Sequence, residues 1–223
     1  MRMNNWLNLE TYTGLELSLF GVGAFFWLMC YFFVIRGIIK YKFVGISAGV
    51  VGANIAWEFL WSFVFKQDMG KLLQIGYCGW FFLDCFIVWG IYKYGDKQVN
   101  DKIKPHFKFL FTLSILAWMA VLYFFTKGFI YETTQIGANS AYAIQLVISV
   151  SCLLMLINNP NEIGISYLAA WGRTLGSLFC GIMIMMHWRD NLWIPSMVVV
   201  YLIIDIYYLI MATKKIKQNG FHW

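Results

Sequence analysis

Seven long apolar stretches dominate this sequence and limit what the chain can fold into. They cover residues 13–35, 43–65, 72–92, 107–125, 137–157, 165–188 and 193–213. An α-helix needs about 20 apolar residues to cross the roughly 30 Å hydrocarbon core of a bilayer, and each stretch is about that long. The sequence therefore predicts an all-α protein, a bundle of seven transmembrane helices.

The composition excludes a soluble globule. Hydrophobic residues make up 61% of the chain and charged residues 13%, whereas soluble domains carry about 25% charge. The longest links, 93–106 and 126–136, are too short for an extramembrane domain, so we expect one multi-pass membrane domain over residues 1–223. The first stretch has full spanning length and is expected to stay as a helix. The membrane would be the plasma membrane in a bacterium or the endoplasmic reticulum in a eukaryote.

The net charge of +6 is explained by topology and not by nucleic-acid binding. Most basic residues follow the first, third and seventh stretches, so the positive-inside rule predicts an outer N-terminus and a cytoplasmic C-terminus. These residues can also contact anionic membrane lipid. The sequence does not indicate an oligomeric state. The basic residues assigned to the inside are Arg36, Lys40, Lys42, Lys93, Lys97, Lys102, Lys104, Lys108, Lys214, Lys215 and Lys217.

Cysteine and histidine residues give no sign of a metal site. All five cysteines fall inside apolar stretches without ligand-like spacing, and the three histidines lie at helix edges or in the tail. We expect the cysteines to be small buried packing residues. The prediction is that the protein holds no metal and no cofactor.

Pairs of glycines four residues apart predict where helices touch. Gly45 and Gly49 form one pair and Gly172 and Gly176 another. Residues with this spacing share a helix face, and small side chains there allow two backbones to approach closely.

Four ionisable residues lie well inside the apolar stretches, namely Glu58, Asp84, Arg173 and Asp205. Such residues are costly in a bilayer and usually face a cavity or a partner. One interpretation is structural, with Arg173 neutralising one or two carboxylates and locking the bundle, and it stays open for Arg173 and Asp84. One arginine cannot neutralise three acids, however, so at least one carboxyl should keep its proton. A protonated acid in an apolar pocket can act as a proton donor.

Helix geometry lets two of these acids approach one cavity. Asn54 and Glu58 share a helix face, and Asp205 is flanked by Tyr201 and Tyr208 at i−4 and i+3. At 1.5 Å per residue, Glu58 lies roughly 10 Å and Asp205 roughly 18 Å below the outer boundary. We therefore expect both carboxyls to face one cavity that opens toward the outer leaflet.

At these residues the sequence resembles the integral-membrane terpene cyclases of fungal meroterpenoid and indole-diterpene pathways, of the paxilline and pyripyropene types. Those proteins are also small seven-helix proteins. The segment Asn-Ile-Ala-Trp-Glu at 54–58 matches most closely, and its Glu58 corresponds to one of the family's two essential acids. Asp205 stands in the place of the second acid, and Gln145 matches a family position. Further matches in the sixth stretch are Ser166, Tyr167, Arg173, Leu175, Gly176 and Ser177.

The resemblance implies a metal-independent terpene cyclase that starts ring closure by protonating an epoxide or alkene of a polyprenyl chain bearing a polar head. The lipophilic prenylated substrate would enter from the bilayer. Glu58 would be the general acid, with Asp205 sharing or orienting the donor, and Asn54 and Arg173 would orient the carboxyls. Asp84 departs from the family, which favours a neutral amide there, and this changes the charge balance of the pocket.

The residues fit this chemistry independently of the resemblance. General acid catalysis needs a protonated carboxyl within hydrogen-bond reach, and a carbocation is stabilised by aromatic faces. The chain also lacks the aspartate cluster that magnesium-dependent ionisation of a diphosphate requires. The aromatic residues expected to line the cavity are Trp57, Trp61, Tyr77, Trp80, Tyr201 and Tyr208.

Three other functions compete with this interpretation. A small-molecule or proton-coupled transporter is the main alternative, because Asp84 and Asp205 lie at similar places in the third and seventh stretches and hint at a repeated unit. A retinal photoreceptor is disfavoured, since the seventh stretch has no central lysine for a Schiff base. A bare scaffold would not explain four buried ionisable groups.

Overall fold

The computed structural model describes residues 5–128, 135–158 and 164–219, and over these ranges it contains seven α-helices and no strand. The predicted all-helical fold class is confirmed. Six helices are long and apolar enough to cross a membrane, and the second is shorter. In chain order the helices are α1 Gly14–Tyr41, α2 Ala48–Phe59, α3 Lys71–Tyr94, α4 Phe107–Gly128, α5 Ala138–Asn158, α6 Tyr167–His187 and α7 Trp193–Asn219.

Six of the helices form a closed ring. Around the ring, α1 packs on α6, α6 on α7, α7 on α5, α5 on α2, α2 on α3, and α3 returns to α1, while α4 packs on α2 from outside. The outer faces carry large apolar side chains, and Phe25, Phe82, Phe109 and Phe124 are each more than 60% exposed. Such a surface suits lipid and not water, so the chain is a multi-pass integral membrane protein.

The ends of α1 are set by local interactions. Thr13 and Glu16 form a capping box, in which the Thr13 side chain accepts from the Glu16 N–H and Glu16 accepts from the Thr13 N–H. The helix runs six residues beyond the predicted end at 35 and stops at Tyr41. Its last turns carry Arg36 and Lys40, whose long side chains can reach water from a helical position.

The second helix begins five residues later than predicted, at Ala48 instead of 43. Gln98 causes this delay, because its amide donates to the carbonyl oxygens of Val44 and Ile46 and accepts from the Ala48 N–H. These bonds hold residues 44–47 outside the helix. With 12 α-helical and five π-helical residues, this element is about 26 Å long.

A π-helical turn, Leu60–Val64, continues α2 directly after Glu58 and Phe59. The Phe65 N–H donates to the Leu60 carbonyl oxygen at 2.8 Å, one residue further back than in an α-helix. This extra residue changes the helical register of everything that follows it by about 100°.

Close helix approach through glycine is confirmed for one of the two predicted pairs. A Cβ on Gly172 would lie 2.7 Å from a carbonyl oxygen of α1, and one on Gly176 would lie 2.6 Å from an indole carbon of α1. The prediction was wrong for the other pair. Gly45 precedes α2 and lies against the Gly164 carbonyl oxygen, and a Cβ on Gly49 would meet nothing within 4 Å.

A cluster at the N-terminal end of α1 ties three segments together. The Tyr12 hydroxyl donates to Asp68 at 2.6 Å, the Tyr12 ring stacks on His187 with centroids 4.3 Å apart, and His187 Nδ1 lies 3.2 Å from Glu16 Oε1. Burial raises the pKa of Asp68, and the bond from Tyr12 opposes that rise. The segment before α1 is thereby held against the α2–α3 link and the end of α6.

Candidate active site

The first of two neighbouring cavities lies between α1, α2, α3, α5 and α6. Its empty volume is about 780 Å³, counted out to its mouth. The wall is mainly apolar and aromatic, and its polar members include Asn54, Glu58, Gln145 and Ser177. A lining of this character is typical of sites for small lipophilic ligands. Its aromatic lining consists of Phe20, Trp27, Tyr31, Trp57, Tyr77, Trp80 and Tyr142.

Hydrogen bonds fix two of these aromatic rings. The Trp57 indole N–H donates to the Ser140 hydroxyl at 2.8 Å, and the Tyr77 hydroxyl donates to the Ile136 carbonyl oxygen at 2.8 Å. Trp57 and Tyr77 meet edge to face with centroids 5.3 Å apart. The faces of these rings are therefore presented to the cavity in one arrangement.

Three buried polar atoms on the lining residues have no hydrogen-bond partner in the part of the chain that the structure describes. They are Glu58 Oε2, Gln145 Oε1 and Trp80 Nε1. A buried polar atom without a partner costs about 1–3 kcal/mol, so few are kept without a reason. Two acceptor-type groups and one donor at one cavity indicate a place for the polar atoms of a ligand.

Asp84 is the acid most closely associated with Glu58. Asn54, one helical turn before Glu58, donates to Asp84 Oδ2 at 2.6 Å and to the Tyr31 hydroxyl at 3.0 Å. Tyr31 and Asp84 therefore share Asn54 as a hydrogen-bond donor. Asn54 thereby joins Asp84 of α3 to the helix that carries Glu58.

Asp205 occupies a different place from the one we expected. Its Oδ1 lies 2.6 Å from Arg173 Nη2, its Oδ2 accepts from the Thr174 hydroxyl at 2.9 Å, and its side chain is fully buried. Among the described residues it lines neither cavity, so it does not share one with Glu58. The reason is the ring order, because α6 is the direct neighbour of α7 and brings Arg173 against Asp205.

The second cavity, of about 700 Å³ including the open space at its mouth, adjoins the first. Asp84, Arg173 and Ser166 lie in its wall, and the Arg173 guanidinium sits 5.4 Å from the centroid of the Tyr208 ring. Arg173 Nε is buried without a hydrogen-bond partner in the described residues. The wall common to both cavities is formed by Trp27, Tyr31, Asn54 and Ile148.

The predicted lining residues divide into three groups. Trp57, Tyr77 and Trp80 line the first cavity, and Tyr208 lines the second. The other two lie in the packed walls: Trp61, 1% exposed, contacts Trp57 and Phe65, and Tyr201, 0% exposed, contacts Tyr142. Trp61 lies within the π-helical turn.

Sequence reasoning missed the contribution of α1. Trp27 and Tyr31 line both cavities, and Tyr31 joins the network around Asp84. A signal was available, because a tyrosine and a tryptophan four residues apart in the middle of a transmembrane helix lie far from the interfacial belts where these residues usually occur.

The described residues contain no group of three His, Cys, Asp or Glu side chains that could hold a metal ion. All five cysteines are free. The expectation that every cysteine is buried holds for Cys30 and Cys152 and was wrong for the other three, since Cys78 and Cys180 are half-buried and Cys85 is exposed. Thiols tolerate such a position because they are nearly as apolar as a methyl group.

Gly137 should be required for the shape of the first cavity. Its φ is +76°, and a Cβ there would collide with the rings of Trp61 and Trp57. We expect Gly137→Ala to destabilise the protein by about 1–3 kcal/mol, because overpacking and strain add. Thermal unfolding in detergent measures this effect. Gly49→Ala is the matched control, since its Cβ meets nothing, and an equal loss of stability in both variants would contradict the prediction.

Comparison with known proteins identifies a family. The Pyr4-like transmembrane terpene cyclases match residues 9–218. Asnovolin H synthase nvfL of Aspergillus novofumigatus is 29% identical over 138 residues, 59% of this chain and 54% of nvfL, so the chain matches about half the length of that relative. Terpene cyclase dpmpB of Macrophomina phaseolina is 27% identical over 84% of this chain and 79% of its own length. Terpene cyclase andB of Emericella variicolor is 25% identical over 82% of this chain and 76% of its own length. No solved structure matches the chain.

Proposed function

Because the chain belongs to the Pyr4-like transmembrane terpene cyclases, we propose that it cyclises a polyprenyl chain inside the membrane, starting from a proton of Glu58. The observation that carries this proposal is the Glu58 carboxyl itself, buried in an aromatic cavity with Oε2 unpartnered among the described residues. The relatives are named as terpene cyclases, which favours an enzyme over the transporter alternative.

The proposed reaction begins when the Glu58 carboxyl gives its proton to a terminal epoxide oxygen or alkene carbon of the substrate. The epoxide C–O bond, or the alkene π bond, breaks and leaves a carbocation. The π electrons of the next double bond then form a new C–C bond, and the positive charge moves along the chain with each ring. Loss of a proton to a base ends the sequence and gives an isomer of the substrate, whereas capture of water would add its mass. A positioned acid of this kind contributes about 10²–10⁴-fold to a rate.

The cavity wall suits a travelling cation. Trp57, Tyr77 and Trp80 supply electron-rich faces, and each such face attracts a cation by about 0.5–2 kcal/mol. The apolar side chains around them exclude water, which would otherwise trap the cation before ring closure is complete.

The other polar residues are proposed as supporting groups. Asp84 and Asn54 would set the charge next to Glu58, and Gln145 would offer its free Oε1 to the substrate. Of the two roles considered for Asp205, orienting other groups is favoured over donating a proton, because both of its oxygens are already bonded by α6. The basic residues of the links support an outer N-terminus as the proposed orientation.

Metal removal should leave the activity intact. The described residues bring together no cluster of metal-ligating side chains, and the proposed acid needs no Lewis acid beside it. We expect the initial rate with an epoxidised farnesyl substrate to stay within about twofold of the untreated value when EDTA is present. Loss of activity with EDTA, restored by added Mg²⁺, would instead indicate metal-dependent ionisation.

The proposed function is tested by product analysis. Purified protein in lipid nanodiscs is incubated with hydroxyacetophenone that bears a farnesyl chain with a terminal epoxide. The products are separated by chromatography, and their masses are determined by mass spectrometry. A new compound of unchanged mass and fewer double bonds, absent when Glu58→Gln protein is used, supports the proposal. A transporter would move the compound across a sealed vesicle membrane and return it unaltered.

A further inference from the structure

We propose that Asp84 and water in the second cavity return a proton to Glu58 after each turnover. This role rests on the proposed function, because it concerns the acid that starts the reaction there. A general acid that has given up its proton is a carboxylate, and it must be protonated again before the next substrate can react. Asp84 does not touch the substrate in this scheme and acts through Glu58.

The two cavities follow one another across the bundle. Ile136 and Ala138, at the start of α5, line the first cavity, whereas Gly45 and Ser166, which precede α2 and α6, line the second. Successive transmembrane helices run in opposite directions, so the starts of α2 and α6 lie at the membrane face opposite to the start of α5. The second cavity therefore extends from the neighbourhood of Glu58 toward that other face, which is the cytoplasmic one in the proposed orientation.

Polar groups in the wall of the second cavity suit water molecules. Arg173 Nε is buried without a hydrogen-bond partner in the described part of the chain. Asp84 offers acceptor positions beyond the one that Asn54 occupies. Buried water makes about three hydrogen bonds to groups of this kind, and the cavity has room for a few water molecules. Water can therefore bind next to the Asp84 carboxyl.

Asn54 brings Asp84 near to Glu58. Its Nδ2 donates to Asp84 Oδ2 at 2.6 Å and to the Tyr31 hydroxyl oxygen at 3.0 Å. Asn54 precedes Glu58 by four residues, which is a rise of about 6 Å along the helix. A water molecule that is hydrogen-bonded on both sides spans about 5.5 Å. Asn54 and Tyr31 line both cavities, so a short water bridge beside them passes from one cavity to the other.

The proton transfers balance over one cycle. Glu58 gives its proton to the substrate, and the last carbocation loses a C–H proton to a base and from there to solvent. Asp84 then gives its carboxyl proton to the bridging water, which passes one of its own protons to the Glu58 carboxylate. Asp84 recovers a proton from water at the cytoplasmic end of the second cavity. One proton enters and one leaves, so the product remains an isomer of the substrate.

The first test compares the first turnover with the later ones. Asp84→Asn keeps an acceptor for Asn54 but has no carboxyl proton to give. With protein in excess over the epoxidised compound in nanodiscs, the variant should react within about threefold of the wild-type rate, because Glu58 still holds its proton. With substrate in excess, a burst of about one product per protein should precede a rate at least about tenfold below wild type. Equal slowing in both regimes would mean a merely structural role and overturn the proposal.

A small acid provides a second readout on the same variant. Formate in the buffer should raise the steady rate of Asp84→Asn at least about threefold, because formic acid can carry the proton that the variant lacks. Glu16→Gln is the matched control, since Glu16 lines neither cavity in the described chain, and its rate should not respond. A formate effect of the same size in both variants, or in neither, would contradict proton transfer by Asp84.

Isotope exchange measures the proton path without any substrate. The protein in nanodiscs is transferred to D₂O, and the infrared carboxyl band that disappears in Glu58→Gln is followed over time. Exchange should be at least about tenfold slower in Asp84→Asn and in Ala170→Leu, which fills part of the second cavity, than in wild type. Ala117→Leu, on the exposed face of α4, is the control for added volume. The same exchange rate in all of these proteins would overturn the proposal.

Exchange and turnover together separate the proton path from the proposed function. If wild-type protein forms no cyclised product but the exchange at Glu58 depends on Asp84, the proton path stands and the cyclase proposal fails. If the product forms and Asp84→Asn turns over repeatedly at the wild-type rate, the proton path fails. In that case the carbocation returns its proton to Glu58 directly.

Discussion

Glu58→Gln should lower the cyclisation rate at least about a hundredfold while the protein still folds and inserts. Glutamine keeps the size of the side chain and a hydrogen-bonding group, so the lining of the first cavity stays intact. It has no proton of comparable acidity to give, and a positioned general acid is worth about 10²–10⁴-fold. The change is measured as the initial rate of product formation in nanodiscs, with substrate binding measured in parallel.

Glu16→Gln is the matched control for this prediction. Glu16 is also a buried glutamate near the same end of the bundle, but it caps α1 and contacts His187, and it lines neither cavity in the described chain. Its replacement should change the rate less than about threefold. A Glu58→Gln protein with near wild-type activity would exclude Glu58 as the acid.

Arg173→Met should destabilise the protein by about 3–5 kcal/mol, the usual cost of leaving one member of a buried ion pair without its partner. The pair joins α6 to α7 inside the ring, and Arg173 Nη2 and Asp205 Oδ1 are 2.6 Å apart. Removal of the guanidinium leaves Asp205 with the Thr174 hydroxyl as its remaining side-chain partner. Thermal or chemical unfolding in detergent micelles measures the loss.

The double variant Arg173→Met with Asp205→Leu should recover most of that stability, because no charge is then left buried. If the loss of stability in the double variant equals the sum of the losses in the two single variants, the two residues act independently.

Asp205→Asn tests the role of Asp205 in the reaction. If Asp205 only positions its neighbours, the variant lowers the rate without altering its pH profile, whereas a second proton donor would alter the profile.

The seven helices were predictable because a bilayer imposes a simple condition on sequence. Every backbone polar group must be satisfied inside the segment, so long apolar stretches become helices wherever they occur. The predicted start of α4 at 107 and of α7 at 193 agrees with the structure. The start of α2 was misjudged because it depends on Gln98, a side chain 50 residues away from Ala48, and no local pattern reveals such a bond.

The candidate site was predictable only in part, for a related reason. Burial of Glu58, Asp84 and Asp205 could be foreseen from their place inside apolar stretches, and all three are buried. Which of them meet depends on the order of helices around the ring, and that order is fixed by packing between distant segments. The pairing of Asp205 with Arg173, and of Asp84 with Asn54, therefore had to come from the structure.

The π-helical turn Leu60–Val64 has a consequence for how such sequences are compared. A turn of this kind holds one residue more than an α-helical turn, as a single insertion would produce. Loss of one residue there would leave Glu58 facing the cavity and rotate only the part of the chain that follows. Alignments of related cyclases are therefore expected to gain or lose a position between 60 and 64, and a search pattern with a fixed distance from Glu58 to Phe65 would overlook true relatives.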